Sequence, residues 1–424
     1  YNIGLGYLDQ SGMSKTAKKD DFKRYNASVS VTSELNKYLT VRASSIYSDR
    51  NKRYPGIGNT SADPWLYMYR WSPLFPMGVT EHGNPLKEPS YEMAASNTDN
   101  LQNKYYNVNL GFTLNITKNW DVKFDYTYDR QTSETNSSVT QYEAGATWYA
   151  PTAWIENGSQ VFVNEQGESS GPGASQVGYQ NKSVDNNTFN IYTTYNLQLG
   201  AEKEHAFKFM VGMNRVTSKW SLHKGWKTNL IDLTNPQFPL ASGDQFIEGD
   251  RNWEAQLGFF GRLNYSFEDR YFLEANIRRD GSSKFPKNLQ WRWFPSFSAG
   301  WVFTNESFMK PVENILSFGK FRASWGSIGD QTVSNTLYKA ILVDGQSSWL
   351  DGSGNKMPLY GTPSLVDSDI SWQEIETLDF GVDLRFFKNK FGVTFDWYRR
   401  DTKNMIIEGE SLPVLQLLKV ITVV

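Results

Sequence analysis

Between Tyr105 and Arg130 the sequence holds two long alternating segments joined at Thr117-Lys118-Asn119. In the first, Tyr106, Val108, Leu110, Phe112, Leu114 and Ile116 share one face, and Asn107, Asn109, Gly111, Thr113 and Asn115 share the other. That is the two-residue period of a β-strand. In the second, Trp120, Val122, Phe124, Tyr126 and Tyr128 oppose Asp121, Lys123, Asp125, Thr127 and Asp129. One face suits lipid and the other suits water. Each segment is roughly twice the ordinary 5–6 residues of a strand, the length that a tilted crossing of a hydrocarbon core about 30 Å thick requires. Leu378, Phe380, Val382, Leu384 and Phe386 repeat the pattern against Asp379, Gly381, Asp383 and Arg385, as do Phe391, Val393, Phe395 and Trp397 against Gly392, Thr394, Asp396 and Tyr398. An Arg facing lipid at the bilayer midplane costs about 2–4 kcal/mol, so the charged rows must point into a wet lumen.

Composition supports this reading where it is unusual. The aromatic fraction is 15%, with Trp 15, Tyr 23 and Phe 26, which fits the girdles of a membrane barrel. A net charge of -2 leaves no basic excess to neutralise phosphates, which argues against nucleic acid as a partner. The absence of cysteine removes thiol catalysis, disulfides and thiolate metal sites together. No apolar run approaches the ~18–20 residues of a membrane helix; Val414 to Val424 is short and broken by Gln416 and Lys419. Tyr1 is not followed by an export signal, and the chain is expected to be part of a longer protein.

Alternation and turn chemistry predict thirteen strands near 2–10, 22–34, 38–50, 105–117, 119–131, 186–199, 205–219, 252–267, 270–280, 293–304, 317–327, 371–386 and 390–401. Short links at Leu35 to Lys37, Lys118, Gly200 to Glu204, Glu268-Asp269 and Lys388-Asn389 alternate with long excursions near 51–104, 132–185, 220–251 and 328–370. Medium links at 281–292 and 305–316 take one outer and one inner place. Short turns on one side and long loops on the other mark an all-β, antiparallel transmembrane β-barrel, with periplasmic turns and extracellular loops. A soluble all-β protein is the competing fold.

Catalytic constellations are sparse. His82, His205 and His223 are scattered, no Gly-x-Ser-x-Gly elbow or dinucleotide turn occurs, and no metal or cofactor is expected. Asp351-Gly352-Ser353-Gly354-Asn355 lacks the ordered acids of a calcium loop and reads as a turn. Asp280-Gly281 likewise reads as a turn at a strand tip. The candidate substrate contacts are loop aromatics: Trp65, Tyr69, Trp71, Trp148 and Trp154, with Trp226 and Trp349 behind them and Asp63, Arg70 and Glu156 near for hydroxyls. Against this stands the alternative that such rings pack the loops together or sit at the membrane interface.

Longer words then resemble a known family. Arg278-Arg279-Asp280-Gly281-Ser282-Ser283-Lys284-Phe285, Trp293-Phe294-Pro295-Ser296-Phe297-Ser298-Ala299-Gly300-Trp301 and Asn305-Glu306-Ser307-Phe308-Met309-Lys310 are similar to the SusC/RagA family of TonB-linked outer-membrane transporters of Bacteroidetes. So are Phe321 to Gly329, Asp369 to Glu374, Asp396 to Met405, Asp21 to Asn26 and Leu35 to Leu39. The resemblance implies a Gram-negative outer-membrane location and about thirteen strands of a larger, incomplete barrel of the 22-stranded, plugged type. It also implies a SusD-like surface lipoprotein as lid, uptake of oligosaccharide or peptide fragments, and energy from the TonB complex acting through a plug. Residues 1–413 are expected to form barrel wall, 414–424 a tail unlike the family, and no plug domain is expected within the chain. A secreted or surface β-rich binding or adhesion protein without transport is the alternative from another class. A glycan hydrolase would need paired carboxylates about 5–10 Å apart in a cleft.

Overall fold

The computed structural model describes residues 1–56, 77–79, 83, 85–86, 88–139, 175–334, 337–342, 344–363, 366 and 369–406, together with the backbone of 143–146, 154–156, 159–161 and 164–169. Thirteen strands form one sheet: β1 (Asn2–Ser11), β2 (Asp21–Glu34), β3 (Leu39–Pro55), β4 (Thr98–Thr117), β5 (Trp120–Val139), β6 (Gln176–Leu199) and β7 (His205–Thr228), then β8 (Gln245–Phe267), β9 (Tyr271–Ser282), β10 (Trp291–Trp301), β11 (Leu316–Asp330), β12 (Gln373–Phe386) and β13 (Phe391–Lys403). Every strand pairs antiparallel with its neighbours in chain order. All thirteen expected strands are present, and the expected tail 414–424 lies outside the described residues. Among the described residues β1 and β13 do not pair with each other, so the sheet is open.

Five of the six inner connections are short, as a two- to five-residue hairpin link allows, and the sixth, between Trp301 and Leu316, is longer. Lys118-Asn119 closes β4 on β5, and Glu268 and Asp269, both at positive φ, form the turn between β8 and β9. The hydrocarbon belt is legible on the outward face. Near the inner rim Trp120 packs edge-on to Tyr195 at 6.5 Å and donates from Nε1 to Thr193 Oγ1 at 2.7 Å. Farther up the strand, close to the roughly 9–11 residues of a tilted crossing, Tyr126 and Tyr128 donate to Asn187 and Asp185, each at 2.7 Å. Between these two levels the outward row is apolar: Val108, Leu110, Phe112 and Leu114 are each about 40% exposed despite lying in the middle of strands. No interior core covers them, so lipid is their solvent. On β9, Arg279 falls on the outward row at the upper girdle, and its guanidinium stacks on Trp291 at 5.2 Å and Trp293 at 5.4 Å.

The outer halves differ from expectation. β5, β6, β7 and β8 run to Val139, from Gln176, to Thr228 and from Gln245, absorbing residues assigned above to loops. A strand of 24 residues, such as β6, rises roughly 60 Å at about 3.3 Å per residue and ~40° tilt, about twice the hydrocarbon core. The wall therefore stands well clear of the outer leaflet. Asp280-Gly281 is also corrected: both residues lie inside β9, with Gly281 opposite Trp291, and the chain turns later, between Ser283 and Gln290. A Cβ at Gly281 would sit 2.8 Å from the Trp291 ring, so the glycine makes room for an indole rather than for a turn.

The outer connections carry their own small cores. Phe285, Phe294, Ile370 and Trp372 are buried together, and Trp372 Nε1 donates to the Gln290 carbonyl at 2.9 Å. Val177, Leu230 and Ala241 form a second cluster, and helix α1 (Pro89–Ala95) buries Met93 beneath a Glu88 N-cap. Asp351 Oδ1 accepts from the backbone N–H of Ser353 and Asn355, each at 2.8 Å, making the expected turn between the ribbon strands Asp344–Leu350 and Lys356–Tyr360.

Candidate substrate vestibule and lumen face

The row opposite the lipid belt is a ladder of mutually satisfied polar groups. Arg42 of β3 reaches across Gly111 of β4 to Asp125 of β5, Nη2 to Oδ1 at 3.1 Å. Arg322 of β11 crosses Gly381 of β12 in the same way to Asp396 of β13 at 2.8 Å, while also binding Asp383 at 2.8 Å. In both cases a Cβ on the glycine would collide with the ion pair, 2.7 Å from Asp125 Oδ1 at Gly111 and 2.5 Å from Asp396 Oδ1 at Gly381. Between them, Asn186 donates to Asp129 at 2.9 Å and Arg262 to Asn276 at 2.6 Å. Such a face cannot meet lipid and needs water.

Counting by two up β7 from Lys208 and Asn214 on this lumen row brings Trp220, Lys224 and Trp226 to the same side, in unbroken register with β6 and β8. Above the outer girdle these residues form a cationic and aromatic wall. Trp226 stacks on Phe246 of β8 with centroids 5.0 Å apart and planes at 15°. Lys224 Nζ lies 4.4 Å from the Trp226 ring centre and 3.3 Å from the Glu248 carboxylate. One level below, Lys182 of β6 stands 5.6 Å over Trp220. The connection after β7 folds back over the opposite, outward face, where Phe238 packs on Tyr179 at 5.0 Å, leaving the lumen-side rings uncovered by it.

Of the sequence candidates, Trp65, Tyr69, Trp71 and Trp148 lie outside the described residues, as do Asp63 and Arg70. Trp154 begins the short strand Trp154–Glu156, paired with Ser159–Val161. Trp349 is 79% exposed on its ribbon and away from Trp226 in the topology. Among the described side chains, Trp226 is the candidate whose ring is set against aromatic and charged partners. Sequence reading missed Phe246, Trp220, Lys182 and Lys224; the signal was the spacing Trp220, Leu222, Lys224, Trp226, an alternation that continues past the membrane belt. His205 belongs to the inner rim, with Nδ1 2.9 Å from the Tyr265 hydroxyl. His223 sits on the outward row of β7, and His82 lies outside the described residues.

The open two-faced sheet, with tight inner turns and tall outer walls, agrees with one family description. Residues 36–417 match the model of the TonB dependent receptor-like beta-barrel. The chain belongs to this TonB-dependent receptor family. Among curated members, the TonB-dependent receptor SusC of Bacteroides thetaiotaomicron is 26% identical across 98% of this chain and 40% of its own length. The TonB-dependent receptor P26 of Formosa agariphila is 23% identical across 96% of this chain and 39% of its own length. The chain therefore spans about two fifths of the curated receptors it matches. Among solved structures, the RagAB peptide transporter superposes with a TM-score of 0.74 at 18% identity, over 97% of this chain and 44% of the matched chain. The fold is that of the receptor barrel, and the chain is an outer-membrane protein of the SusC/RagA type.

Proposed function

We propose that this chain forms wall and vestibule of an outer-membrane importer that takes up oligosaccharide or peptide fragments together with a SusD-like lipoprotein lid, energised by the TonB complex. In this reading residues 1–413 are one continuous stretch of barrel wall, and the chain binds and passes substrate without breaking bonds. The observation that carries it is the stacked Trp226–Phe246 pair on the lumen side, flanked by Lys224, Glu248 and Lys182, at the top of a polar ladder that descends through the membrane. Flat rings bearing adjacent charges suit the apolar faces and hydroxyls of a sugar, or the side chains and amides of a peptide. Trp65, Tyr69, Trp71, Trp148 and Trp154 sit in the two connections that leave the sheet on this same outer side, and we assign them as further substrate contacts.

The test is uptake in the native host by a strain carrying Trp226→Ala and Phe246→Ala. Growth on one class of oligosaccharide or peptide should fall, with a loss of affinity of roughly tenfold if the pair contributes about 1.4 kcal/mol. The amount of receptor in the outer membrane should not change. Unaltered uptake of every oligosaccharide and peptide tried would overturn the assignment of this wall as the binding surface.

A further inference from the structure

The inner connection between β10 and β11 is the exception among tight turns. It runs from Val302 to Ile315 and contains two 3-10 segments, Phe303–Asn305 and Ser307–Val312. Asn305 Nδ2 ties it to the Asp269 carbonyl of the neighbouring turn at 3.2 Å, and its ring contacts are on the lipid side of the sheet. The Phe303 ring lies over Gly319, where a Cβ would clash with it, and packs against Phe321 at 4.9 Å and Trp301 at 5.9 Å. Thr304 Oγ1 accepts from the Gly319 N–H at 3.0 Å. Glu306 then receives three donors, the Tyr271 hydroxyl at 2.6 Å, Trp301 Nε1 at 3.1 Å and Arg270 Nη1 at 3.4 Å. Tyr271, Trp301 and Phe321 lie in register on the outward row of β9, β10 and β11, so the segment is bent out over the lipid face and away from the lumen.

What the bend presents is apolar. Phe308 is 63% exposed, Val312 39% and Ile315 57%. Ile315 accepts from the Phe387 N–H at 2.8 Å, which joins the patch to the next turn, where Phe387 and Phe391 are 55% and 58% exposed. Lys310, Lys388 and Lys390 are exposed along the same edge. Resting on the outer-membrane reading of the sheet, we propose that residues 303–315 are an in-plane foot that inserts into the inner leaflet of the outer membrane and binds phospholipid. Phe308, Val312 and Ile315 enter the acyl boundary, and the lysines meet the phosphates. Two observations select lipid over a protein partner: the segment packs through Phe303 on the outward-row rings Trp301 and Phe321, and its polar edge carries three exposed lysines against one exposed carboxylate, Glu313. A carboxylate with three donors serves here as the pin that holds the foot outward.

The test replaces Phe308, in the receptor as the host makes it, with a photo-reactive diazirine phenylalanine, and irradiates isolated outer membranes. The expected product is a phospholipid adduct at 308, matching a probe at Phe112 in the lipid belt and absent from one at Thr113 on the lumen row. A second measurement attaches a bimane to Phe308→Cys, this chain having no cysteine of its own, in vesicles of brominated phospholipid, where at least a twofold quench is expected. Protein or water adducts at 308, with lipid adducts retained at 112, would overturn the foot and leave the barrel reading intact. Loss of lipid adducts at both positions would overturn the facing of the sheet and the foot with it.

Discussion

Gly111 and Gly381 matter for what passes above them. A guanidinium from one neighbouring strand must reach a carboxylate on the other, and hydrogen is the only side chain that leaves the path open. Each pair is partly solvated, with 41% and 26% exposure for Arg42 and Asp125, so each contributes less than about 1 kcal/mol. Gly381→Ala should therefore cost little and should be non-additive with Arg322→Met by about 0.5–1 kcal/mol, a coupling that a double-mutant cycle on denaturant unfolding reads directly. Asp99, at the outer end of β4, is a residue of another kind. Burial pushes its carboxyl up to about 6, opposed by the Ser138 N–H donating to it at 2.8 Å. Unfolded, the same group ionises near 3.8, so above pH 6 the folded rim carries a charge its surroundings disfavour, and below pH 4 neither state does. The rim should gain stability as pH falls from about 6 to about 4, by on the order of 2–3 kcal/mol at most. Asp99→Asn is expected to abolish that dependence, measured as the protection factor of the Ser138 amide across the range.

At the scale of the strand, facing decides cost. Phe112→Arg on β4 should lower stability by about 2–4 kcal/mol in a refolding titration, while Thr113→Arg, one residue along, should change it by less than 1. The same distinction explains what the sequence made legible. Inner strand ends fell within a residue or two of expectation, apart from β10, which stops at Trp301 rather than 304, because inside the hydrocarbon belt each face must obey its solvent. The outer ends of β3 to β8 were missed because above the girdle both faces are wet: Gln131-Thr132-Ser133-Glu134-Thr135-Asn136 is polar on both sides and continues as β5 nonetheless. Cross-strand pairing sustains it where alternation no longer speaks. Asp280-Gly281 misled for a related reason, since a glycine that clears an indole and a glycine that turns a chain are the same letter. Of the candidate site, Trp226 was visible as a tryptophan, but Phe246 becomes its partner only through a register that runs the full length of β7 and β8.

For the molecule as a whole, the open edges dominate. Among the described residues β1 is exposed along its entire length and β13 along nearly all of its own, and neither outer edge has a strand partner, so each presents backbone groups that cost several kcal/mol apiece in lipid. Expressed by itself, the 424-residue chain should not insert stably, and should show neither heat-modifiable mobility nor protease resistance, both of which are read on a gel. Appearance of either would show that the two edges find each other or find partners. The tall wall has a different consequence. A substitution in the belt is judged by the bilayer, but on the proposed vestibule reading one at Trp226, Lys224 or Phe246 is judged only by what binds there. On that reading, binding preference can drift, be lost and be reinvented in the upper half without touching the part of the wall that the bilayer holds.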